Sequence, residues 1–445
     1  MEQPGRIEMQ AMPLAVERAR PSAWWALAVL FLFYTFSFLD RYILTMLAPS
    51  IKDDLNLSDT EMGLILGAAF SICYAIFGLP LGWAADRFSR RWVIFLGVGV
   101  FGIATASTGL ANSFIAVFVV RAFVGIGEAA LSPAAYSLLA EKFPRHLLTT
   151  ASSIFNTGAK LGTAGAYALS GVALAYAAGH LPMLAPWRFT FFVVGIPVAV
   201  MAALVFTFGE ESHRAKRKQR NTISIVPYFR TNSDLLLPMV VGFILMGMVG
   251  GTLLAWTPSY ITRHFGWTPI QFAPMLSVIS LVAAASLIFK GGIVDWLFAR
   301  GIKDAHIRFY TWLVLGIAPI AASMFFIENP IVFMIMYGMV QVVAVPFFVF
   351  VSATVQVVAP QEVKGQVIAV FLFCTTGIGS GTGPFIAGAL TDYVFQDEAK
   401  LGYSLASMIF ITIPAAYFCL RKTLRPLRER VIAIEEARVM YGAGQ

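Results

Sequence analysis

Apolar runs of about 20 residues, each long enough to cross the hydrocarbon core of a bilayer as a helix, recur from end to end of this 445-residue chain. Charged residues make up 13% of the sequence, roughly half the share of a soluble protein. We predict an all-α polytopic membrane protein with twelve transmembrane helices, at residues 23–48, 60–83, 92–111, 114–140, 149–177, 188–208, 236–261, 270–296, 307–327, 331–358, 366–392 and 402–421.

The basic residues predict the orientation of these spans. With both termini in the cytoplasm, cytoplasmic segments hold 24 of the 32 lysines and arginines, and outside segments hold 4. Such an excess is typical of the cytoplasmic side of an inner or plasma membrane. The net charge of +8 is therefore explained by membrane topology and by contact with membrane lipids, so we expect no nucleic-acid partner.

The longest polar stretch divides the spans six and six. We predict a cytoplasmic N-terminal tail at 1–22, a first six-helix bundle at 23–208, a basic cytoplasmic linker at 209–235, a second bundle at 236–421 and a cytoplasmic C-terminal tail at 422–445. A glycine–aspartate–arginine pattern ends span two and recurs at the end of span eight. Internal repeats of this kind are typical of the two halves of a transporter.

The first copy of this pattern resembles the loop 2–3 signature of the major facilitator superfamily, with Ser89 at the place of the usual glycine. The glycines of span eleven and Trp187-Arg188 at the start of span six are also similar to that superfamily. The resemblance implies two pseudo-symmetric bundles around a central cavity that opens alternately to each side. It also implies a gate motif, comprising Gly82, Asp86, Arg87, Arg90 and Arg91, with Asp295 and Arg300 in the second copy. We expect the arginines to pair with acids across the bundle interface.

Two acid–base pairs fall inside predicted spans: Asp40 and Arg41 in span one, and Arg121 and Glu128 in span four. Charges in hydrocarbon are costly and normally face a water-filled cavity. Arg121 and Glu128 lie at i and i+7, on one stripe of a helix. If spans one and four face the same cavity, the four charges form one network. It would be either a proton-coupled switch or a permanent ion-pair lattice.

No histidine lies inside a span, which leaves Asp40 and Glu128 as the candidate proton carriers. Arg41 and Arg121 are candidates to bind an anionic substrate, because a guanidinium is permanently charged. Together with Asp40-Arg41, the pattern Arg121-x-x-x-Gly-x-Gly-Glu128 resembles the Spinster family. That resemblance implies a lysophospholipid or a sphingosine-1-phosphate-like substrate, exported in exchange for protons.

Further candidates lie elsewhere in the spans. Lys160, near Asn156 in span five, is either a second group that binds substrate or a lysine that snorkels or is paired within the bundle. Lys290 lies nearer the cytoplasmic end and suits a gate or a snorkelling side chain. Aromatic residues of the second half that could line an apolar cavity for an acyl chain are Trp256, Tyr260, Phe347 and Phe371.

No phosphate-binding loop, catalytic triad or metal-ligand spacing is recognisable, so we expect neither an enzyme nor a cofactor, only H+ as the coupling ion. We predict a monomeric, proton-coupled secondary transporter of an amphiphilic anionic lipid. One alternative is a proton-coupled symporter of small organic anions such as sugar acids or aromatic acids. Another is a non-transporting membrane receptor or scaffold.

Overall fold

The computed structural model describes residues 19–180, 185–207, 225–344, 347–360 and 363–442, and their regular structure is helical throughout. In the first half, α1 is Pro21–Leu55, α2 runs from Asp59 through a π-helical turn at Leu64–Ala68 to Arg87, and α3 is Arg90–Thr108. Helix α4 is Phe114–Lys142, α5 is Arg145–His180 and α6 is Pro186–Thr207.

The second half follows a short helix at Ile225–Thr231. It contains α7 at Ser233–Phe265, α8 at Pro269–Ala299 and α9 at Ala305–Phe326. The tenth helix has two segments, α10a at Pro330–Val343 and α10b at Phe348–Val358. Helix α11 is Lys364–Phe395, with π-helical turns at Phe373–Ser380 and Leu390–Phe395, and α12 is Leu401–Gly442.

The predicted fold class is confirmed. Within the described part of the chain, ten helices are long and apolar enough to cross a membrane. The predicted fifth span is the continuous helix α5, and the predicted tenth span is interrupted between Val343 and Phe348. The sequence gives the reason for the interruption. Residue 346 is a proline, which has no N–H to donate to the carbonyl of residue 342.

The two halves repeat the same helix packing. In the first half α1 packs on α5, α2 on α4 and α3 on α6; in the second half α7 packs on α11, α8 on α10a and α9 on α12. Each pair in the second half is the first-half pair shifted by six helices. The contacts between the halves follow the same rule, because α5 packs on α8 and α11 packs on α2.

Contacts between the halves concentrate toward one end of the molecule, which carries Asp59 and Arg263 and which we call the closed end. Here Gly63 and Gly67 of α2 lie against the backbone of α11 so closely that neither could carry a Cβ atom without displacement. A continuous hydrophobic core joins both halves at this end. A second core, built around α1, α3 and α4, belongs to the first half alone.

Glycines of α5 permit its close packing on α1, and they predict unequal effects of substitution. A Cβ atom at Gly162 would lie 2.9 Å from Cβ of Phe38, whereas one at Gly165 would lie 3.6 Å from Cδ1 of Leu39. We expect Gly162→Ala to reduce stability by about 1–3 kcal/mol through overpacking. Gly165→Ala, the matched control, should be neutral or slightly stabilising because alanine favours helix.

Thermal unfolding of the two purified variants in one detergent measures this difference. Equal melting temperatures for Gly162→Ala and Gly165→Ala would contradict the close approach of α1 to α5.

Candidate functional site

The four charges predicted inside the spans meet in the first half and pair crosswise. Nη1 of Arg121 lies 2.6 Å from Oδ2 of Asp40, and Nη2 of Arg41 lies 2.5 Å from Oε2 of Glu128. Each of these ion pairs therefore joins α1 to α4. The neighbours Asp40 and Arg41 do not pair with each other, because adjacent residues on a helix point in different directions.

Two hydroxyl groups complete the network. Thr105 of α3 donates to Oδ1 of Asp40 at 2.9 Å, and Ser37 of α1 donates to Oε2 of Glu128 at 2.6 Å. A buried carboxylate needs several donors to offset the loss of water. Oε1 of Glu128 is nevertheless buried without a hydrogen-bond partner among the groups that the structure describes. This oxygen is a free acceptor next to an ion pair.

Aromatic rings surround Arg41. Its guanidinium carbon lies 4.2 Å from the ring centre of Phe70, 4.9 Å from that of Phe38 and 5.1 Å from that of Tyr74. A cation near the face of an aromatic ring is stabilised by the electrons of that ring. The arginine can therefore keep its place when its carboxylate partner changes.

The two ion pairs differ in access to solvent. The side chains of Asp40 and Arg121 are 0% and 2% exposed, so this pair is sealed. In the other pair Glu128 is 1% exposed but Arg41 is 24% exposed. The network is therefore accessible at Arg41 and closed at its other three charged side chains.

Two further predicted residues lie on α5, outside this network. Asn156 is exposed; its amide donates to the carbonyl of Ser152, and its oxygen accepts from the hydroxyl of Tyr136 at 2.9 Å. Lys160, one turn further along, is half-buried. Neither residue contacts the four charges, so their predicted role in binding stays a prediction.

The residues of the predicted gate motif surround the α2–α3 turn and the end of α8. Arg90 forms an ion pair with Glu141 of α4, in the same half of the molecule, rather than the expected pair across the halves. Arg87 and Arg300 are exposed and lie over the rings of Trp83 and Trp296. Among the remaining residues of the motif, Gly82 and Arg91 are half-buried and Asp295 is exposed. The side chain of Asp86 lies outside the described part of the structure.

The aromatic residues predicted to line a cavity lie mainly in the core of the second half. Trp256 is 0% exposed and donates from Nε1 to the carbonyl of Pro384 at 2.9 Å. Tyr260 donates to the carbonyl of Phe325 at 3.0 Å, and Phe371 is buried. Phe347 is half-buried and stacks on Phe243. In this conformation three of the four aromatic side chains hold helices together instead of facing open space.

The sequence reasoning missed the ionic contacts at the closed end. Arg263 of α7 forms two hydrogen bonds of 2.7 Å with the carboxylate of Asp59 at the start of α2, and Lys52 lies 2.8 Å from the same carboxylate. Lys52 also reaches Glu398 of the second half at 2.6 Å. Asp59 is fully buried, so the cross-half pair of Arg263 with Asp59 contains a desolvated carboxylate.

A carboxylate of the second half also binds the first turn of α2. Asp392 of α11 accepts from the backbone N–H groups of Asp59 and Thr60, at 3.2 and 2.6 Å, and from the hydroxyl of Thr60 at 2.6 Å. The start of a helix favours negative charge because its N–H groups are free. The capping box Ser58–Glu61 marks this helix start in the sequence, but nothing local identifies Asp392 as its partner.

Comparison with known proteins matches residues 30–384 to the Major Facilitator Superfamily. An MFS-type efflux pump of Mycolicibacterium smegmatis is 26% identical over 94% of this chain and 95% of its own length. A hexuronate transporter of Bacillus subtilis is 27% identical over 82% of this chain and 87% of its own length. The solved structure of a bacterial homologue of the human lysosomal transporter Spinster has a TM-score of 0.73 at 19% identity, over 94% of this chain and 98% of that one.

The closed-end contacts predict that Asp59→Asn weakens the attachment of the two halves. Removal of one partner from a buried ion pair costs about 3 kcal/mol, or roughly a hundredfold in a conformational equilibrium. We expect spin labels at the exposed residues Ile115 and Ile331 to show a new population with a longer distance. Arg425→Gln, which breaks an exposed pair with Glu429, is the control and should leave the distance unchanged. An unchanged distance in Asp59→Asn would show that these ion pairs do not hold the end closed.

Proposed function

Because the chain belongs to the Major Facilitator Superfamily and is a secondary transporter rather than an enzyme, we propose that it couples the movement of an organic anion to protons. The observation that carries the proposal is the crosswise network, with one ion pair sealed and the other reachable at Arg41. Ion pairs with a purely structural role do not require an exposed side chain. A binding site for an anion requires a cation that the anion can reach, and Arg41 is partly exposed.

The network provides a route from anion binding to proton uptake. An anion that contacts Arg41 competes with Glu128 for the guanidinium, and a buried carboxylate without its cation is costly. Glu128 avoids that cost by taking a proton. Its unpartnered Oε1 can hold the proton while Oε2 keeps the hydrogen bond from Ser37. Anion binding and protonation would then favour each other.

The sealed pair has a different role in this scheme. Asp40 accepts from Arg121 and Thr105, which fixes both oxygens of its carboxylate. It therefore holds α1, α3 and α4 together beside Glu128. The surroundings favour Glu128 over Asp40 as the group that changes its proton during transport.

For the substrate, the geometry favours a compact organic anion. Polar side chains of both halves meet between the network and the closed end: Tyr42 and Tyr167 of the first half lie with ring centres 6.0 Å apart, and Tyr167 lies close to Ser280 and Tyr337 of the second half. The hydroxyl of Tyr337 also accepts from the amide of Gln341 at 2.6 Å. Tyr167, Tyr337 and Gln341 are buried in this conformation, so a substrate would reach them when the halves separate. Hydroxyl and amide groups from both halves suit a sugar acid or a similar hydrophilic anion, in line with the hexuronate carried by one relative.

A lipid-like anion is the second candidate, and the resemblance to Spinster proteins supports it. The observation that favours it is the exposure of two apolar side chains, Leu161 and Phe289. Leu161 follows Lys160 on α5, and Phe289 precedes Lys290 on α8. Exposed apolar surface on α5 and α8, the helices that also carry the two lysines, suits an amphiphile that enters between them. The buried positions of Trp256, Tyr260 and Phe371 leave no place for an acyl chain beside them in this conformation.

The orientation of the chain in the membrane decides which side the closed end faces. If the arginine-rich α2–α3 turn and both termini lie in the cytoplasm, as the distribution of basic residues predicts, the closed end faces outward. The described conformation is then the one in which the substrate site opens to the cytoplasm.

Transport assays on Glu128→Gln and Asp40→Asn test the coupling. Gln at position 128 imitates the protonated carboxyl, so we expect net uptake driven by a pH gradient to fall at least about a hundredfold while exchange of substrate persists. Asp40→Asn should impair both processes, because it removes the charge that holds Arg121. Proteoliposomes loaded with labelled hexuronate, or in a parallel arm with labelled lysolipid, measure both rates.

Two results would contradict the proposal. One is uptake by the wild-type protein that ignores an imposed pH gradient. The other is a Glu128→Gln variant whose uptake responds to the gradient as the wild-type protein does.

A further inference from the structure

We propose that Lys160 and Lys290, one from each half of the protein, together bind a substrate group that carries two negative charges. This inference deepens the proposed function and rests on it. It gives the two lysines a common role, and it specifies the charge of the substrate, which the four-charge network leaves open.

The charges inside the membrane-spanning region do not balance. The network is neutral, because Arg41 pairs with Glu128 and Arg121 pairs with Asp40. Lys160 and Lys290 have no acidic partner among the side chains that the structure describes, whereas Lys52 and Lys303 do. The interior therefore carries two uncompensated positive charges. Unpaired buried charge is costly and usually marks a site for a ligand.

The contacts of Lys290 show why a cation can persist there without an acid. The residue is 7% exposed, and its ammonium group donates to the carbonyl of Val342 at 2.5 Å. The hydroxyl of Ser286, one turn earlier on α8, donates to the same carbonyl at 3.3 Å. Residue 346 is a proline, so it cannot donate an N–H to this carbonyl.

The carbonyl of Val342 holds the ammonium group in place but does not neutralise it. One acceptor also leaves further N–H groups of the lysine available for a ligand. The ammonium group of Lys290 thus has a fixed position and a charge that no described acid neutralises, next to the interruption of the tenth helix. Interrupted helices are where transporters of other folds bind their substrates.

Lys160 lies on α5, the helix of the first half that packs on α8, and α8 carries Lys290. It lies one helical turn from Ala164, whose carbonyl accepts from Ser277 of α8 at 3.4 Å, so it is on the side of α5 that packs against the second half. Two like charges at the interface between the halves repel each other.

A bound anion would reverse this repulsion and attract both lysines. Because they belong to different halves, the anion would also draw the halves together on the open side. A group with two charges is favoured over a group with one, since it can neutralise both cations. A dicarboxylate and a phosphate monoester share this chemistry, and the choice between them separates a small acid from a lipid as the substrate.

The test compares variants that remove charge with variants that keep it. Lys290→Gln retains an N–H donor for the carbonyl of Val342 and removes only the charge, and Lys290→Arg restores the charge. Lys160→Gln and Lys160→Arg form the second pair. Lys303→Gln, which breaks an ion pair with Glu435 far from the site, is the control.

The probes are a six-carbon dicarboxylate with its monomethyl ester, and a phosphate-monoester lysolipid with its uncharged alcohol. Uptake into proteoliposomes gives KM and kcat, and ligand-induced thermal stabilisation in detergent measures binding without transport. We expect one of the two dianions to stabilise the wild-type protein more than its matched probe of lower charge, which is the monomethyl ester for the dicarboxylate and the alcohol for the phosphate monoester. Each Gln variant should raise KM for that dianion about tenfold to a hundredfold with a smaller change in kcat, and each Arg variant should restore it.

The outcomes separate this inference from the proposed function. If both Gln variants bind and transport the dianion like the Lys303→Gln control, or if the monoanion is preferred, the two-lysine site is wrong even though coupling through Glu128 can stand. If neither dianion stabilises the wild-type protein nor is transported, the two-lysine site is likewise wrong. If a pH gradient drives no uptake of any probe, the proposed function is wrong as well.

Discussion

The cost of placing charge in hydrocarbon governs this structure. Two acid–base pairs of α1 and α4 lie within the first half, and each arginine is matched by one acid at hydrogen-bond distance. The pairs are crossed between α1 and α4, and hydroxyl groups from α1 and α3 occupy further lone pairs of the carboxylates. The result is a neutral unit with a sealed pair and a reachable pair. A transporter can use that difference in access, because only the reachable pair can respond to a ligand.

The same cost explains the arrangement at the two ends of the molecule. At the closed end the buried carboxylate of Asp59 meets cations from both halves, and Asp392 binds the free N–H groups at the start of α2. These contacts connect the halves where their hydrophobic core is also continuous. Toward the other end Arg90 pairs within its own half, so this ion pair does not oppose the separation of the halves. The distribution of ion pairs thus favours a molecule that is joined at one end and can open at the other.

Much of the candidate site could be predicted from the sequence, and particular residues show where prediction ended. Asp40, Arg41, Arg121 and Glu128 were recognisable because charges are rare in apolar runs. The sequence did not show which acid pairs with which arginine, because the pairing depends on the rotation of α1 relative to α4 and on hydroxyl groups that any helix can carry. The aromatic residues of the second half were ambiguous for a similar reason. Trp256 could face a cavity or a neighbouring helix, and only the position of Pro384 on α11 decides between them.

The sequence by itself determined the all-helical membrane architecture and the division into two halves. These depend on the length of apolar runs and on backbone hydrogen bonding in lipid, both of which are local. The tertiary structure decided which acid meets which arginine, which end is closed, and that Lys160 and Lys290 remain without acids among the described side chains. Those outcomes depend on contacts between residues tens to hundreds of positions apart, and no local pattern of residues encodes them.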